Sequence, residues 1–570
     1  MMGVLKMDFL EDLYKSIDDW NIEYNNLESE IESLSIYYNK KNLNLSSSDI
    51  ARTIKLLEHL YCKLDKLYTY SIVNYDLNVK SLDWQNRNYK IERLYNRLEK
   101  KYEFFNEAIS KHKTELLNLI SNNKELKKYK YYYNNFFEKE KRNYFKELYE
   151  EANIKEQYNN ILYFKEYIGE FEVDNEKYMV TSNTLLTYLN SENRKIRKNA
   201  YEAVINFFSK KEVEAAFLVN LNYLIKNKMA NANGFDTYFE EVIENHFISI
   251  NNPSFFEVSH NVKKIFKKSL DIRRQILGLE KISHFDMYYF GEHKSHISYK
   301  EAQKIIKEAL KHFGEEYLGI LDKIFKENWI HHESSSLKKF GGRSYSSINT
   351  HPYIIINWNN DIDSLFALIH EIGGAVSQYL AQNSCSIVYS ELSEAKVEFM
   401  SVLNEYMLSK YLLENNVKEI DRNEAFIRVL EFLKDDFFVP YEYMNLLYSF
   451  SQNSTKFPLT HEIIDEEYDK VIKEFRDFKH FENINLNKKN WIKAHDQLSI
   501  EYNLNYICAF ILVLNFDINK FNKVINLCKQ GEIQSDGDFF HEIFESQLDF
   551  INLNKNAIKW INNLIDSYMK

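Results

Sequence analysis

The scarcest residues in this sequence say most about its architecture: 13 Gly and 4 Pro among 570 residues. Average usage is roughly 7% and 5%, and a chain of many strands places those residues at its turns. An all-β or collagen-like fold is therefore excluded. What fills the sequence instead is periodicity. From Phe9 to about Phe171 apolar residues recur three or four apart, as in Leu56, Leu57, Leu60, Leu64 and Leu67, with Lys, Glu and Asn between them. That spacing predicts long amphipathic helices. Hydrophobic residues at 45% against charged ones at 28% rule out a disordered chain, so the expected fold class is mainly α.

The polar break EVDNEKYMVT, Glu172 to Thr181, predicts a division into an N-terminal helical domain, 1–180, and a second domain, 181–570. A new helical series starts at Leu185 and runs to about Phe247. The next connection contains Asn251, Asn252 and Pro253, where Pro can open the following helix. Helical stretches follow at Ser254 to Leu277 and Tyr299 to Asn328. The texture changes from His331 to Trp358, where a polar stretch carrying Gly341 and Gly342 leads into PYIIINW, Pro352 to Trp358. This reads as a small hairpin or sheet set directly before a helix, Ser364 to Ala381. Leu365, Leu368, Ile369, Ile372, Val376 and Leu380 give that helix its apolar stripe. No fixed-period repeat stands out.

Formal charge is 73 − 84 = −11, which offers no clustered basic footprint for nucleic acid. The aromatic run YKYYYNNFF, Tyr129 to Phe137, reads as helix packing in preference to a platform for bases. Cys62, Cys385, Cys508 and Cys528 are scattered without paired spacing, which fits a reducing compartment and neither a disulfide framework nor a thiolate zinc knot. The first residues meet acidic side chains at once and do not form a signal peptide. The most apolar stretch, Ile507 to Phe516, is about half the length needed to cross a bilayer. The expectation is a soluble, cytoplasmic protein with no membrane or nucleic-acid partner.

On the Ser364–Ala381 helix stand His370 and Glu371. A helical HExxH motif places two His one turn apart to hold Zn²⁺ while the Glu serves as general base toward a metal-bound water. Here the fifth position is Gly374, and a bare His-Glu pair by itself reads as a surface pair. Glu398 follows 398 − 370 = 28 residues later, in VEFMSVLNE, on the next helical segment. From there a carboxylate could close a zinc site. The neighbouring polar residues have plainer readings. His331 and His332 are solvated loop residues, Glu391 and Glu394 suit the start of a helix, and Ser334 to Ser336 is loop. Cys385 is a connecting residue in preference to a nucleophile. Arg343 is either a hairpin surface charge or a partner for a peptide carboxylate.

Five blocks together resemble the oligoendopeptidase F branch of the thimet-oligopeptidase-like zinc metallopeptidases. They are KKFGGRSYSS (Lys338 to Ser347), HPYIIINW (His351 to Trp358), LFALIHEIGGAVSQYL (Leu365 to Leu380), VEFMSVLNE (Val397 to Glu405) and FPLTHEIIDEEYDKV (Phe457 to Val471). Weaker likeness extends through Thr184 to Val204 and Asn231 to Ile243. The resemblance implies a helical ellipsoid with a deep channel for short peptides and a small β-sheet next to the HExxH-type helix. It implies one zinc ion held by His370 and Glu398, with Glu371 as the catalytic Glu. It further implies that a late stretch, WIKAHDQLSIEYNLNYICAF, supplies His495, Tyr502 and Tyr506 to stabilise the tetrahedral oxyanion. PYIIINW matches the sheet edge on which the family holds extended substrate.

The chain departs from this pattern at Gly374, which stands where the family has its second zinc His. Ser377, one turn further, is a weak ligand. Three readings follow. In the first, the chain is an active peptidase whose metal sphere is completed by His351, His495 or an additional water. In the second it is a pseudo-peptidase that binds peptides, and in the third an altered copy of an active enzyme.

Overall fold

A computed structural model describes residues 9–37, 47–139, 153–154, 157–158, 161, 167–181, 184–291, 295–339, 341–494 and 498–568. Its α-helices of eight residues or more, with the strands between them, run in the following chain order. First come α1 Ile17–Tyr37, α2 Ser47–Leu77, α3 Leu82–Lys111, α4 Lys113–Asn122 and α5 Lys130–Lys139. Then come β1 Tyr167–Val173, β2 Glu176–Thr181, α6 Arg194–Ser209, α7 Glu212–Ala232 and α8 Asn252–Ile276. The middle of the chain holds α9 Tyr299–Ala309, α10 Gly314–Lys326, β3 Ile330–His331, β4 Arg343–Tyr345, β5 Tyr353–Ile355, α11 Ile362–Gln382 and α12 Glu394–Glu414. The rest is α13 Arg422–Leu433, α14 Val439–Asn453, α15 His461–Arg476, α16 Ile500–Leu514, α17 Phe521–Cys528, α18 Asp536–Phe544 and α19 Phe550–Tyr568. The mainly α expectation holds, with a small sheet next to the helix that carries His370 and Glu371.

Contacts group the chain into two compact units. One comprises Met1–Lys141, Ser298–Leu408 and Asp517–Ile543; the other comprises Arg142–Ile297, Ser409–Phe516 and Phe544–Lys570. In the first, the apolar faces of α1 to α5 close over one core that includes Trp20, Leu27, Leu60, Leu67, Leu98 and Phe105 and reaches Tyr353 and Ile355 of the small sheet. The aromatic run sorts as packing predicts: Tyr129, Tyr133 and Phe137, spaced by four, are buried in that core.

In the second unit, Asn251 caps α8 by accepting from the Ser254 N–H, and Pro253 occupies the first turn, as the sequence predicts. The polar break at 172–181 is a correction. It is one arm and the turn of an antiparallel hairpin, β1 with β2. Asp174 and Asn175 turn the chain with φ of 53° and 68°, a pair of left-handed residues that joins strands tightly. The stretch predicted as one helix, Tyr299 to Asn328, is two: α9 ends at Ala309, and α10 starts at Gly314, whose φ is +83°.

Beside α11 lies a sheet of three strands in the order β3-β5-β4. β5 runs parallel to β3 and antiparallel to β4. Both sides of PYIIINW are therefore paired, and Tyr353, Ile354 and Ile355 are buried. This overturns the expectation that PYIIINW is the open edge; a strand already bonded to two neighbours has no free main-chain groups to offer. The edge next to α11 is β4, Arg343 to Tyr345. α2 holds the turn before and after it. The Asp76 carbonyl accepts from the Lys339 N–H at 2.8 Å, while the Asp65 carboxylate accepts from the Ser347 hydroxyl at 2.6 Å and the Ile348 N–H at 2.9 Å.

Candidate active site

α11 starts where Asp361 accepts from the Ser364 N–H at 2.8 Å and the Ser364 hydroxyl at 2.6 Å, a local N-cap. Every residue of the predicted stripe, Leu365, Leu368, Ile369, Ile372, Val376 and Leu380, is buried. Against this helix packs α12, and the approach is closest at Gly373. A Cβ there would stand 2.6 Å from the Met400 carbonyl oxygen and 2.7 Å from Ser401 Cα, so only Gly permits the contact. A second tie lies one turn away. The Asn404 amide donates to the Ile369 carbonyl at 3.1 Å and to the Tyr317 hydroxyl of α10 at 2.7 Å.

This packing brings His370 of α11 to two carboxylates of α12. Its Nδ1 lies 2.7 Å from Glu405 Oε1 and its Nε2 lies 3.8 Å from Glu398 Oε2. Glu405 thus fixes the ring so that Nε2 faces Glu398. Burial works against charge on the imidazole, but Glu405, Glu398 and Glu371 outweigh it and hold its pKa well above the ordinary histidine value.

Glu371 is half-buried and meets the turn before β4. Burial raises its carboxyl pKa, while His370, a hydrogen bond from Ser344 and the charge of Arg343 oppose the rise. Gly342 lies so close that a Cβ on it would be 2.8 Å from Glu371 Cγ and Oε1. The sheet edge and the proposed base are therefore in direct contact.

Sequence reasoning missed one of these contributors, Glu405, which is seven residues beyond Glu398 on the same helix face; its signal was the i, i+7 spacing. The rarity of Gly in this chain already marks Gly341 with Gly342 and Gly373 with Gly374 as site glycines.

Gly374 offers no donor. A Cβ built on it would meet Ser401 Oγ and Val397 Cγ1 at 3.2 Å and Ser344 Oγ at 3.7 Å, which are two hydroxyls and a methyl. Ser377 is buried and its hydroxyl donates to the Gly374 carbonyl at 2.8 Å. His351, a possible substitute ligand, is engaged elsewhere. Its Nδ1 lies 2.8 Å from the Pro352 carbonyl, its Nε2 lies 3.4 Å from Asp12, and its ring stacks on Trp329. A catalytic zinc site takes three protein ligands and keeps one open position. Among the described residues the donors number two, His370 Nε2 and Glu398, and these two do not by themselves fit a complete catalytic zinc site.

Among the described residues one group does bring three ligand-type side chains together: Glu212, His461 and Asp465. Lys489 already neutralises it, contacting Glu212 and lying 3.0 Å from Asp465.

The remaining candidates are placed as follows. Tyr502 and Tyr506 are half-buried, one turn apart on α16, with ring centroids 4.8 Å apart; both belong to the second compact unit. His495 lies outside the described residues. Burial pushes the Cys385 thiol up to about 11, which is no activated nucleophile. His331 is in β3, and His332 stacks on Tyr299 with centroids 3.8 Å apart. Among the described residues no single helix is long and apolar enough to cross a membrane.

Comparison with known proteins points in one direction. Residues 187–438 match the sequence profile of Peptidase family M3. The chain is 27% identical over 485 residues to oligopeptidase PepF of Bacillus subtilis, covering 80% of this chain and 70% of that protein. It is 23% identical over 436 residues to an oligoendopeptidase F homolog of Lactococcus lactis, covering 72% and 70%. Among solved structures it superposes on a putative peptidase from Chlamydophila abortus with a TM-score of 0.76 at 18% identity, covering 98% of this chain and 97% of that one. It also superposes on oligoendopeptidase-F from Enterococcus faecium with a TM-score of 0.69 at 17% identity, covering 96% and 98%. The segment that matches the profile of Peptidase family M3 thus holds His370, Glu371 and Glu398, and oligoendopeptidase F proteins are among the chain's homologues and structural neighbours.

Proposed function

We propose that this protein takes short, unfolded peptides in the manner of an oligoendopeptidase F, and that Gly374 leaves it a peptide binder with weak or no hydrolysis. One observation carries the reading. Gly342, directly before the sheet edge β4, lies so close to Glu371 that a Cβ on it would be 2.8 Å from the carboxylate Oε1, so an extended peptide pairing along β4 would run beside the proposed base. Main-chain pairing of that kind gives affinity with little side-chain selectivity. Arg343, exposed on the same strand, is placed for a peptide carboxylate.

In this reading the chemistry belongs to 181–570, with 1–180 as an N-terminal helical domain. Zinc, when bound in such proteins, polarises the scissile carbonyl and acidifies a water. His370 and Glu398 are the residues that would hold it, oriented by Glu405. Glu371 would accept the proton of the attacking water and later deliver it to the leaving amine. Tyr502, Tyr506 and His495 are the proposed donors to the oxyanion. With one ligand missing, metal affinity falls by at least the roughly 10- to 100-fold that loss of a supporting partner costs.

The second reading, an active zinc endopeptidase, is favoured by the retained contacts of His370 with Glu405 and Glu398. Metal content, cleavage of internally quenched peptides and peptide affinity of the purified chain separate the two. Peptide binding without zinc or turnover selects the binder. Stoichiometric zinc with cleavage abolished by Glu371→Gln selects the enzyme, and absence of peptide binding and of cleavage refutes both. Gly374→His should raise zinc content; if it recovers neither zinc nor cleavage, the ligand placement is wrong.

A further inference from the structure

The aromatic run at 129–137 has a second face that the peptide reading leaves unused. While Tyr129, Tyr133 and Phe137 are buried in the core, Lys127, Lys128, Lys130 and Tyr131 line a cavity of about 670 Å³ within the first compact unit. Tyr389 and Ile533 form its other wall. That volume lies inside the roughly 300–1,000 Å³ range of small-molecule sites.

The charge is one-sided. Three ammonium groups line the cavity, and none of its lining residues is acidic. Lys128 is neutralised by Glu58 at 3.2 Å, and Glu58 also accepts from the Ser386 hydroxyl. Lys127 and Lys130 are exposed and make no ion pair with any described residue. Two cations with no counter-charge among the described residues stand at one mouth, in a chain of formal charge −11.

The walls are apolar by contrast. The rings of Tyr131 and Tyr389 have centroids 6.5 Å apart at 46°, and the Tyr389 hydroxyl is tied down by accepting the Tyr132 N–H at 2.9 Å. These two rings pack on one another and together present an apolar face, against which a flat apolar body can lie, with a compact anion at the lysine mouth. A polyanion is disfavoured, because the acidic remainder of the chain would repel its flanks.

From this we propose that the cavity binds a small phosphate monoester with an aromatic body, the phosphate on Lys127 and Lys130 and the ring against Tyr131 and Tyr389. This goes beyond the peptide reading and does not depend on it.

Isothermal titration of the full chain with phenyl phosphate and with inorganic phosphate, at low and moderate salt, tests the assignment. Phenyl phosphate should bind at least about fivefold tighter than inorganic phosphate, because only the former uses the ring wall. Lys127→Ala/Lys130→Ala should weaken it at least about tenfold and flatten its salt dependence. Both lysines are exposed, so the variant should keep its melting temperature and its affinity for peptides. No binding of phenyl phosphate to the parent overturns the proposal. So does equal affinity for the two phosphates, or unchanged affinity in a double variant that keeps its fold.

Discussion

Two adjacent glycines on α11 should respond oppositely to the same small change. A Cβ at 373 would meet the backbone of α12: Met400 O at 2.6 Å, Ser401 Cα at 2.7 Å and Met400 C at 2.9 Å. Ordinary contact for such atoms is about 3.5 Å, so Gly373→Ala must move the two helices apart by close to 1 Å. Overpacking of this kind costs about 1–3 kcal/mol. The same shift would stretch the 2.7 Å contact between His370 and Glu405 beyond hydrogen-bond length, adding about 1 kcal/mol. Against this, Ala is better than Gly in a helix by about 1 kcal/mol. The net expectation is a loss of about 2 kcal/mol. At 374 the nearest atoms are Ser401 Oγ and Val397 Cγ1 at 3.2 Å, both at the ends of rotatable side chains. They need yield only by tenths of an ångström, so Gly374→Ala should be neutral or stabilise by up to about 1 kcal/mol. Urea unfolding of the parent and the two variants, followed by helical circular dichroism, reads the difference. If Gly373→Ala keeps the parental midpoint, or the two variants shift together, the helix contact is not as tight as described. Opposite shifts would mean that packing demands Gly at 373 and does not demand it at 374.

Other perturbations have equally direct expectations. Lys396 is fully buried on α12, with Glu532 at 2.7 Å and Asp536 at 3.5 Å; Lys396→Ala should cost about 3 kcal/mol in denaturant unfolding. Lys396→Met should cost less, because it fills the volume and both carboxylates retain access to water; equal loss in the two variants would refute the ionic account. Burial depresses His246 to about 4 in the folded protein from an ordinary 6.5, so the unfolded chain binds more protons between those values. Stability from this group is whole above pH 6.5 and falls by about 3 kcal/mol as pH drops to 4. His246→Gln should flatten that part of the pH–stability curve, and an unchanged slope would sink the assignment. Gly342→Ala would drive a methyl group into Glu371 and should weaken peptide binding along β4 while leaving the melting temperature nearly unchanged; unaltered affinity would place the peptide elsewhere.

Most of the architecture was readable because helices announce themselves locally. The α11 stripe, the Pro253 start of α8 and the burial of Tyr129, Tyr133 and Phe137 follow from 3.6-residue spacing and cap chemistry. The hairpin at 167–181 was missed although its signal is equally local. Asp-Asn between alternating segments is an acceptable left-handed turn, but the weight of surrounding helices hid it. Strand order near the site was a different matter. Strands of two or three residues carry too little pattern to reveal which one sits in the middle, so the edge role was assigned to β5 when β4 holds it. His370 and Glu371 were visible as neighbours in sequence, and Glu398 through its helix and the family blocks. The glycine pair at 341–342 was marked by its rarity, whereas Glu405 acts across 35 residues of chain, and only the crossing of α11 with α12 brings it in.

The cluster around His370 has a physical reason that does not require catalysis. Three carboxylates, Glu371, Glu398 and Glu405, converge on one imidazole, and Glu405 is buried. Carboxylates gathered in this way repel one another unless a cation stands between them. In a complete site a metal ion supplies part of that charge. Here His370 supplies it: a hydrogen bond to Glu405 and proximity to Glu398 and Glu371 keep the ring protonated against the penalty of burial. Replacing His370 by a neutral side chain would leave a buried carboxylate without its counter-charge, a loss of several kcal/mol. The contacts of His370 with Glu405 and Glu398 therefore stabilise this helix pair by themselves. The arrangement around His370 is therefore accounted for by the packing of α11 on α12, whichever residue stands at 374.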